Sequence, residues 1–412
     1  MSFLADLHIH SRYAYATSKN LNLETLYQWA QIKGISVIGT GDFTHPAWFS
    51  ELREKLVEDG NGLFRLKNPP KVHALEGIRP THTEVRFLLS TEISSVYKHK
   101  GKTRKNHNLV YSPNFETVEK LIAQLGQIGN LAADGRPTLK LSSRDLLEIV
   151  REASDEAYLI PAHIWTPWFS TFGSKSGYDS LEDCFEDLTK EIFALETGLS
   201  SDPDMNRRVS MLDNYTLVSN SDAHSAPNLG REANRFETDR TYKAIFQALR
   251  SGKGFGGTYE FFPQEGKYHL DGHRKCAVVT YPDETKSIQG ICPVCKKPLI
   301  KGVLFRVEEL ADRNSPHPTA LSQPYQYLVP LPEILGEILN KGPKTKTVTR
   351  KFIQLISEFG NEFSLIHEVP LSNIRSKGFE CEAKALENLR TGKVHAQPGF
   401  DGQYGSIQLL EA

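Results

Sequence analysis

Long apolar runs are missing from this chain of 412 residues. No stretch approaches the roughly 20 residues that a helix needs to cross a bilayer, so no membrane partner is expected. The first residues carry no basic segment followed by an apolar one. A secretory leader is therefore not expected, and the default compartment is cytoplasmic. Strong charge of one sign is missing too: 49 Lys and Arg stand against 50 Asp and Glu, for a formal net charge of −1. That excludes a bulk basic field, so any contact with nucleic acid must come from local patches. Cysteine is scarce, with 5 in the chain, which argues against a disulfide framework. There is no internal repeat and no low-complexity tract. A composition of 39% hydrophobic and 24% charged residues is that of an ordinary globular protein of two or three domains.

What is present begins with Asp6-Leu7-His8-Ile9-His10. Two histidines at i and i+2 on a strand face the same way, and paired imidazoles at a strand end suggest a divalent metal. Through residue 257, short strand-like runs alternate with amphipathic helical runs, a pattern that predicts α/β architecture with a parallel sheet, closed as a barrel. His8, His10, Asp42, His45, Glu92, His163, Glu196, Asp222 and His224 all fall at or just past the carboxyl ends of predicted strands. That face of such a barrel is where active sites are built.

The pattern breaks at the glycine-rich stretch 252–257, which predicts a boundary. Three segments are expected: a metal-dependent domain over 1–257, a small cysteine-bearing unit over 258–300, and a mainly helical region over 301–412 with helices near 332–339, 348–358 and 382–389. His273-x-x-Cys276 and Cys292-Pro293-Val294-Cys295 have the spacing of a zinc ribbon, each pair turning two soft donors toward one ion. Four protein ligands leave no open position, so this zinc is expected to be structural. His269 competes with His273 for the fourth place. Cys184 and Cys381 stand alone and are expected to be simple thiols.

Asp6-Leu7-His8-Ile9-His10, Gly41-Asp42-Phe43-Thr44-His45, Ser90-Thr91-Glu92, Asn106-His107-Asn108, Pro161-Ala162-His163 and Ser221-Asp222-Ala223-His224 together resemble the PHP (polymerase and histidinol phosphatase) domain. The resemblance implies a distorted (β/α)7 barrel with two or three metal ions. The order of PHP domain, zinc ribbon and helical region is similar to the endonuclease Q group. Phe172 to Gly177 and the tail from Pro398 to Gly405 look like that group as well. This implies a DNA repair endonuclease that nicks 5′ of uracil, hypoxanthine, xanthine and abasic sites. Its partner would be single- or double-stranded DNA, with a sliding clamp left open, because no clear clamp-binding peptide ends the chain. One departure stands out. Many PHP proteins carry a further histidine soon after the first pair and an Asp-His pair in the second motif. Here residues 13–19 contain no histidine and Phe43 follows Asp42, with His45 as the substitute.

Carried over residue by residue, the resemblance implies that His8, His10, Glu92 and Asp222 hold one ion and that Glu92 bridges to a second held by His107 and His163. His224, with Asp42 or His45, serves the remaining position. Asp42, His45 and Glu196 are expected as catalytic groups. Zn²⁺ suits the histidine-rich set, with two or three ions there and one in the ribbon, and Mg²⁺ or Mn²⁺ can support an oxygen-rich position. Such a cluster makes a hydroxide nucleophile from water. The basic run Lys98, Lys100, Lys102, Arg104 and Lys105 lies between two predicted ligands and is expected to contact phosphates, with Lys341, Lys344, Lys346, Arg350 and Lys351 as a second run. Reading a deaminated base requires it to leave the stack for a pocket. Trp165, Trp168, Phe169, Ser170, Ser200 and Ser201 are expected to form that pocket. Two other readings are a PHP-type phosphatase for a small phosphate ester and a non-catalytic DNA-binding scaffold.

Overall fold

Short β-branched and aromatic runs between amphipathic segments make the strands brief and leave the helices to cover them. The computed structural model describes residues 2–70, 75–81 and 83–410. Seven strands surround one centre: β1 Phe3–Asp6, β2 Val37–Gly39, β3 Arg86–His99, β4 Lys102–Ser112, β5 Tyr158–Pro161, β6 Ala194–Glu196 and β7 Thr216–Val218. β1, β2 and β3 are parallel neighbours, β4 runs antiparallel to both β3 and β5, and β6 and β7 are parallel. Two joints complete the circuit without a ladder. Ile164 N–H, just past β5, donates to Glu196 O at the end of β6 at 3.1 Å, and Ile9 bridges to Ala223 beyond β1 and β7. The strands of the expected PHP arrangement are thus present, with one antiparallel member and isolated bonds in place of ladders at two joints.

A single apolar cluster fills the ring, and every strand contributes to it: Ala5 and Leu7, Val37, Leu88, Leu109, Ile160, Ala194 and Val218. Leu7 belongs to this interior, whereas Ile9 packs in the outer cluster. Strict alternation therefore breaks after β1 ends at Asp6, and His8 and His10 stand on the segment beyond the strand, above the filled interior. The break is held by Leu7 N–H donating to Asn220 Oδ1 at 2.8 Å and His10 N–H to Ala223 O at 3.1 Å. The helix Leu23–Lys33 outside β1 and β2 begins on an Asn22 side-chain cap and ends on Gly34 at φ 91°, the start and stop its sequence dictates.

The boundary near residue 257 is not a break in the structure. Phe255–Glu260 is a strand paired antiparallel with Ala233–Phe236, which pairs with β1, and Tyr325–Tyr327 adds to its other side. Gly257, at φ 110°, lies so close to the added strand that a Cβ would sit 1.8 Å from Pro324 O. The glycine-rich stretch signals a close backbone approach rather than a linker. The third segment supplies helices Leu331–Leu339, Lys346–Phe359 and Glu380–Arg390, near their expected positions. It is tied back by a buried ion pair, Lys33 Nζ to Glu362 Oε2 at 2.7 Å. The tail folds across the base of the cysteine unit: Leu270 N–H donates to Gly399 O at 3.0 Å and Arg274 N–H to Asp401 Oδ2 at 2.7 Å. Among the described residues no helix is long and apolar enough to cross a membrane.

Candidate metal centre

Two donor groups converge above the filled ring, and they share Glu92. His8, His10, Glu92 and Asp222 form one group, and Glu92, His107 and His163 the other. Glu92 Oε2 lies 3.2 Å from His10 Nε2 and 3.6 Å from His8 Nε2, while Oε1 lies 2.6 Å from His107 Nδ1 and 3.1 Å from His163 Nε2. Asp222 Oδ1 closes the first group at 3.0 Å from His10 Nε2 and 3.5 Å from His8 Nε2. Each carboxylate oxygen of Glu92 thus addresses one group.

The far nitrogens of the first pair are fixed by a second layer of carboxylates. His8 Nδ1 donates to Glu196 at 3.0 Å, and His10 Nδ1 donates to Asp42 Oδ1 at 3.0 Å. Glu196 also accepts from His163 N–H at 2.8 Å and Asn220 Nδ2 at 2.9 Å, and Asp42 accepts from Ser11 N–H at 2.6 Å. His8 Nε2 is buried and has no hydrogen-bond partner among the described residues. A buried imidazole nitrogen left bare, with its other nitrogen bound to a carboxylate, is the arrangement of a metal ligand. Asp42, His163 and Asp222 adopt positive φ values of 50°, 28° and 47°. Strain of this kind in non-glycine residues collects at functional sites.

The electrostatics follow from burial set against close opposite charges. Burial alone would hold the His8 and His10 imidazoles down, but the surrounding carboxylates raise both well above their ordinary value. Burial pushes the Glu92 carboxyl up, yet His107, Arg136 and His8 bring it well below the carboxylate range. Asp222 is lowered as well, its burial outweighed by His8 and His10. His107 falls to about 4, burial exceeding the attraction of Glu92. Glu92 is thus held ionised by the cationic groups around it, while burial disfavours the charged form of His107.

The remaining expected residues divide sharply. His224 packs its ring 4.5 Å from His10, and its Nδ1 donates to Asp222 O at 2.9 Å. His45 stands away from both groups, stacked on Tyr13 at 4.4 Å, in front of the helix Pro46–Lys55. Asp42 and Glu196, expected as catalytic, lie one layer behind the converging donors. Trp165 is wholly buried and donates to Asn206 Oδ1, while Ser170 and Ser201 are buried on internal carbonyls. These three cannot line an open pocket. Trp168 is exposed on the rim, edge-on to Tyr268, and Phe169 packs 4.8 Å from the His107 ring. Ser200 is half-buried.

The basic run forms the β3–β4 hairpin, whose turn places Lys100 and Gly101 at positive φ. Lys98, Lys100 and Lys102 are exposed, though Lys100 pairs with Asp183 at 2.7 Å. Arg104 lies over Tyr178 at 4.0 Å and Lys105 over Phe169 at 5.2 Å. In the second run Lys341, Lys344, Lys346 and Arg350 are exposed, and Lys351 pairs with Glu382. One residue escaped the sequence reading: Arg136, whose Nη1 donates to Glu92 Oε2 at 3.1 Å. A lone arginine in a turn has no ligand spacing that could have revealed it.

The cysteine unit forms its own site. His273, Cys276, Cys292 and Cys295 converge, with His273 Nδ1 3.4 Å from Cys295 Sγ. His269 is buried elsewhere and falls to about 4 through burial, outside the group. The Cys292 thiol is brought down to about 6: burial opposes the thiolate, but the backbone N–H groups of Cys295 and Val294 favour it. A thiolate is what a zinc ligand requires.

A seven-strand α/β ring with histidine groups sharing one carboxylate at its open face defines a PHP-type domain. Residues 205–253 match the PHP-associated family, and residues 330–393 match the family described as MJ0043 C-terminal domain. The lesion-specific endonuclease PfuEndoQ from Pyrococcus furiosus superposes with a TM-score of 0.86 at 32% identity, covering 100% of this chain and 97% of that one. Endonuclease Q in complex with a 27-mer duplex carrying an abasic lesion at the active site superposes at 0.85, with 32% identity over the same shares. The chain belongs to the endonuclease Q family. An uncharacterized Methanocaldococcus jannaschii protein, MJ0043, is 35% identical over 253 residues, 60% of this chain; the chain spans only 31% of that protein's length.

Proposed function

We propose that this chain is a metal-dependent endodeoxyribonuclease of DNA repair. It hydrolyses the phosphodiester 5′ of abasic sites and of deaminated bases (uracil, hypoxanthine and xanthine). The observation that carries the reading is Glu92, one oxygen turned to His8 and His10 and the other to His107 and His163. The donor chemistry and the bare His8 Nε2 fit divalent ions, with zinc the natural choice for so many imidazoles. His8, His10, Glu92 and Asp222 would hold one, Glu92, His107 and His163 a second, and His224 is the residue left for a third. Mg²⁺ or Mn²⁺ suits an oxygen-rich position. Bound there, such ions lower the pKa of water and neutralise charge on a phosphodiester.

The chain's own residues do the rest. Glu196 and Asp42 fix the tautomers of His8 and His10 so that both present Nε2 to the centre. In this reading they are positioning residues, and His45 takes no part. The exposed Lys98 and Lys102 on the hairpin meet phosphates, and the exposed Trp168 offers a face to an extruded base or to the gap left by one. The ribbon, with its four ligands, is a structural zinc site. The activity of PfuEndoQ, a lesion-specific endonuclease, and the abasic-duplex complex of endonuclease Q support the substrate class.

The test is incubation of the purified protein with labelled duplexes containing one abasic site, uracil or hypoxanthine, with Zn²⁺, Mn²⁺ or Mg²⁺. Cleavage 5′ of the lesion and none on undamaged duplex is the expected result. Phosphate release from small esters without nicking would replace the reading with a phosphatase.

A further inference from the structure

Arg136 is a fixed cation beside a site built for cations, and nothing in the metal ligation accounts for it. Its Nη1 donates to Glu92 Oε2 at 3.1 Å, and its other N–H donors have no hydrogen-bond partner among the described residues. The side chain keeps 21% exposure while Glu92 has none, so Arg136 is reachable from solvent where Glu92 is not. The backbone beneath it is pinned from three directions. Arg136 N–H donates to Asp134 Oδ1 at 2.9 Å, Gly135 N–H to Tyr13 O at 2.9 Å, and Ser94 N–H to Pro137 O at 3.0 Å. Gly135 packs so closely that a Cβ would lie 2.5 Å from Asp42 Oδ2, which locks this turn to the carboxylate that orients His10.

A permanent positive charge beside two divalent ions would leave a positive centre that Glu92 and Asp222 only partly offset, which favours a further anion there. The anion that fits is a tetrahedral phosphate group, because the planar fork of arginine matches two of its oxygens. A residue serving only to neutralise Glu92 would need neither the pinned turn nor the remaining unpartnered N–H donors.

We propose that Arg136 is the phosphate-gripping residue of this site: its free guanidinium edge binds the non-bridging oxygens of the phosphodiester to be cut and holds that group against the Glu92-centred donors. The proposal rests on the nuclease reading. It assigns phosphate recognition at the centre to a side chain that is not a metal ligand, leaving the hairpin lysines to the flanking phosphates.

The experiment compares wild type with Arg136→Gln and Arg136→Lys, each in its metal-loaded form. Metal content is read by elemental mass spectrometry, binding of inorganic phosphate by calorimetry, and nicking on an abasic duplex with and without added guanidinium. Expected for Arg136→Gln are unchanged metal content, roughly tenfold weaker phosphate binding and a roughly hundredfold lower kcat, the scale of losing one charge-stabilising donor. Added guanidinium should recover part of that kcat, and Arg136→Lys should bind phosphate better than Arg136→Gln without regaining full activity. Loss of metal from both variants, or phosphate binding and kcat equal to wild type, overturns the proposal. If wild type itself leaves the abasic duplex whole, the nuclease reading falls and this inference with it. If wild type nicks and Arg136→Gln nicks equally well, only this inference falls.

Discussion

Glu92 and His107 meet at 2.6 Å through Oε1 and Nδ1, while the other oxygen of the same carboxylate is turned to His10. One side chain thereby joins two donor groups, His8, His10 and Asp222 on one side and His107 and His163 on the other. Glu92→Gln keeps the shape and removes the charge that both groups share. We expect both ions to be lost or weakened together, and nicking to fall at least a hundredfold, more than loss of an outer-layer group costs. Metal counted per chain at increasing chelator concentration checks this; loss of a single ion with the second retained would contradict the shared role.

Glu196 tests the outer layer. It touches His8 Nδ1, His163 N–H and Asn220 but no converging Nε2. Glu196→Ala should weaken metal affinity roughly 10- to 100-fold and leave DNA binding in excess metal close to wild type. A chelator-competition titration beside a DNA-binding titration separates the two effects. A variant with intact metal affinity and no activity would move Glu196 back among the catalytic groups.

The ribbon predicts a structural loss rather than a chemical one. Cys292→Ser removes one of the four converging donors proposed to hold zinc, and metal binding in such units is folding free energy. We expect about one zinc fewer per chain and early proteolysis in the ribbon and in the tail that packs on it through Gly399 and Asp401. Limited proteolysis with mass mapping is the measurement; an unchanged cleavage pattern would show that the ribbon folds without its metal.

His367 carries a pH signature far from any metal. Burial, helped by the charge of Arg390, brings it from 6.5 to about 3. Between those values the unfolded chain binds a proton that the folded chain refuses, so stability is lost as pH falls through that window. His367→Phe removes this term. At pH 4.5 the variant should gain about 3 kcal/mol relative to its standing at pH 7.5. Urea unfolding of both proteins at the two pH values decides it, and a difference that stays constant with pH would refute the assignment.

Much of the centre was legible in the chain itself. His8, His10, Glu92, His163 and Asp222 stand out by strand-end position and residue type, because metal chemistry restricts which side chains can serve, while His107 enters only through the PHP resemblance. The ribbon was legible because its spacing is local. The placement of Asp42 and Glu196 behind His10 and His8 is not legible in the chain, since it differs from a place among the converging donors by one layer of packing that spacing does not encode. Trp165, Ser170 and Ser201 followed a ligand in sequence, yet their backbone turns them into the interior.

The sequence alone determined the donor types, the alternation of strand and helix, the ribbon and the later helices, each set by local pattern and by chemistry that admits few side chains. Tertiary structure decided the rest. It broke the alternation after Asp6 so that His8 and His10 rise above the filled ring, and it carried a strand across residue 257. It also separated ligands from their orienting carboxylates and brought Arg136 against Glu92. Those are contacts between residues distant in the chain, and only packing and the bonds that close the ring can select them.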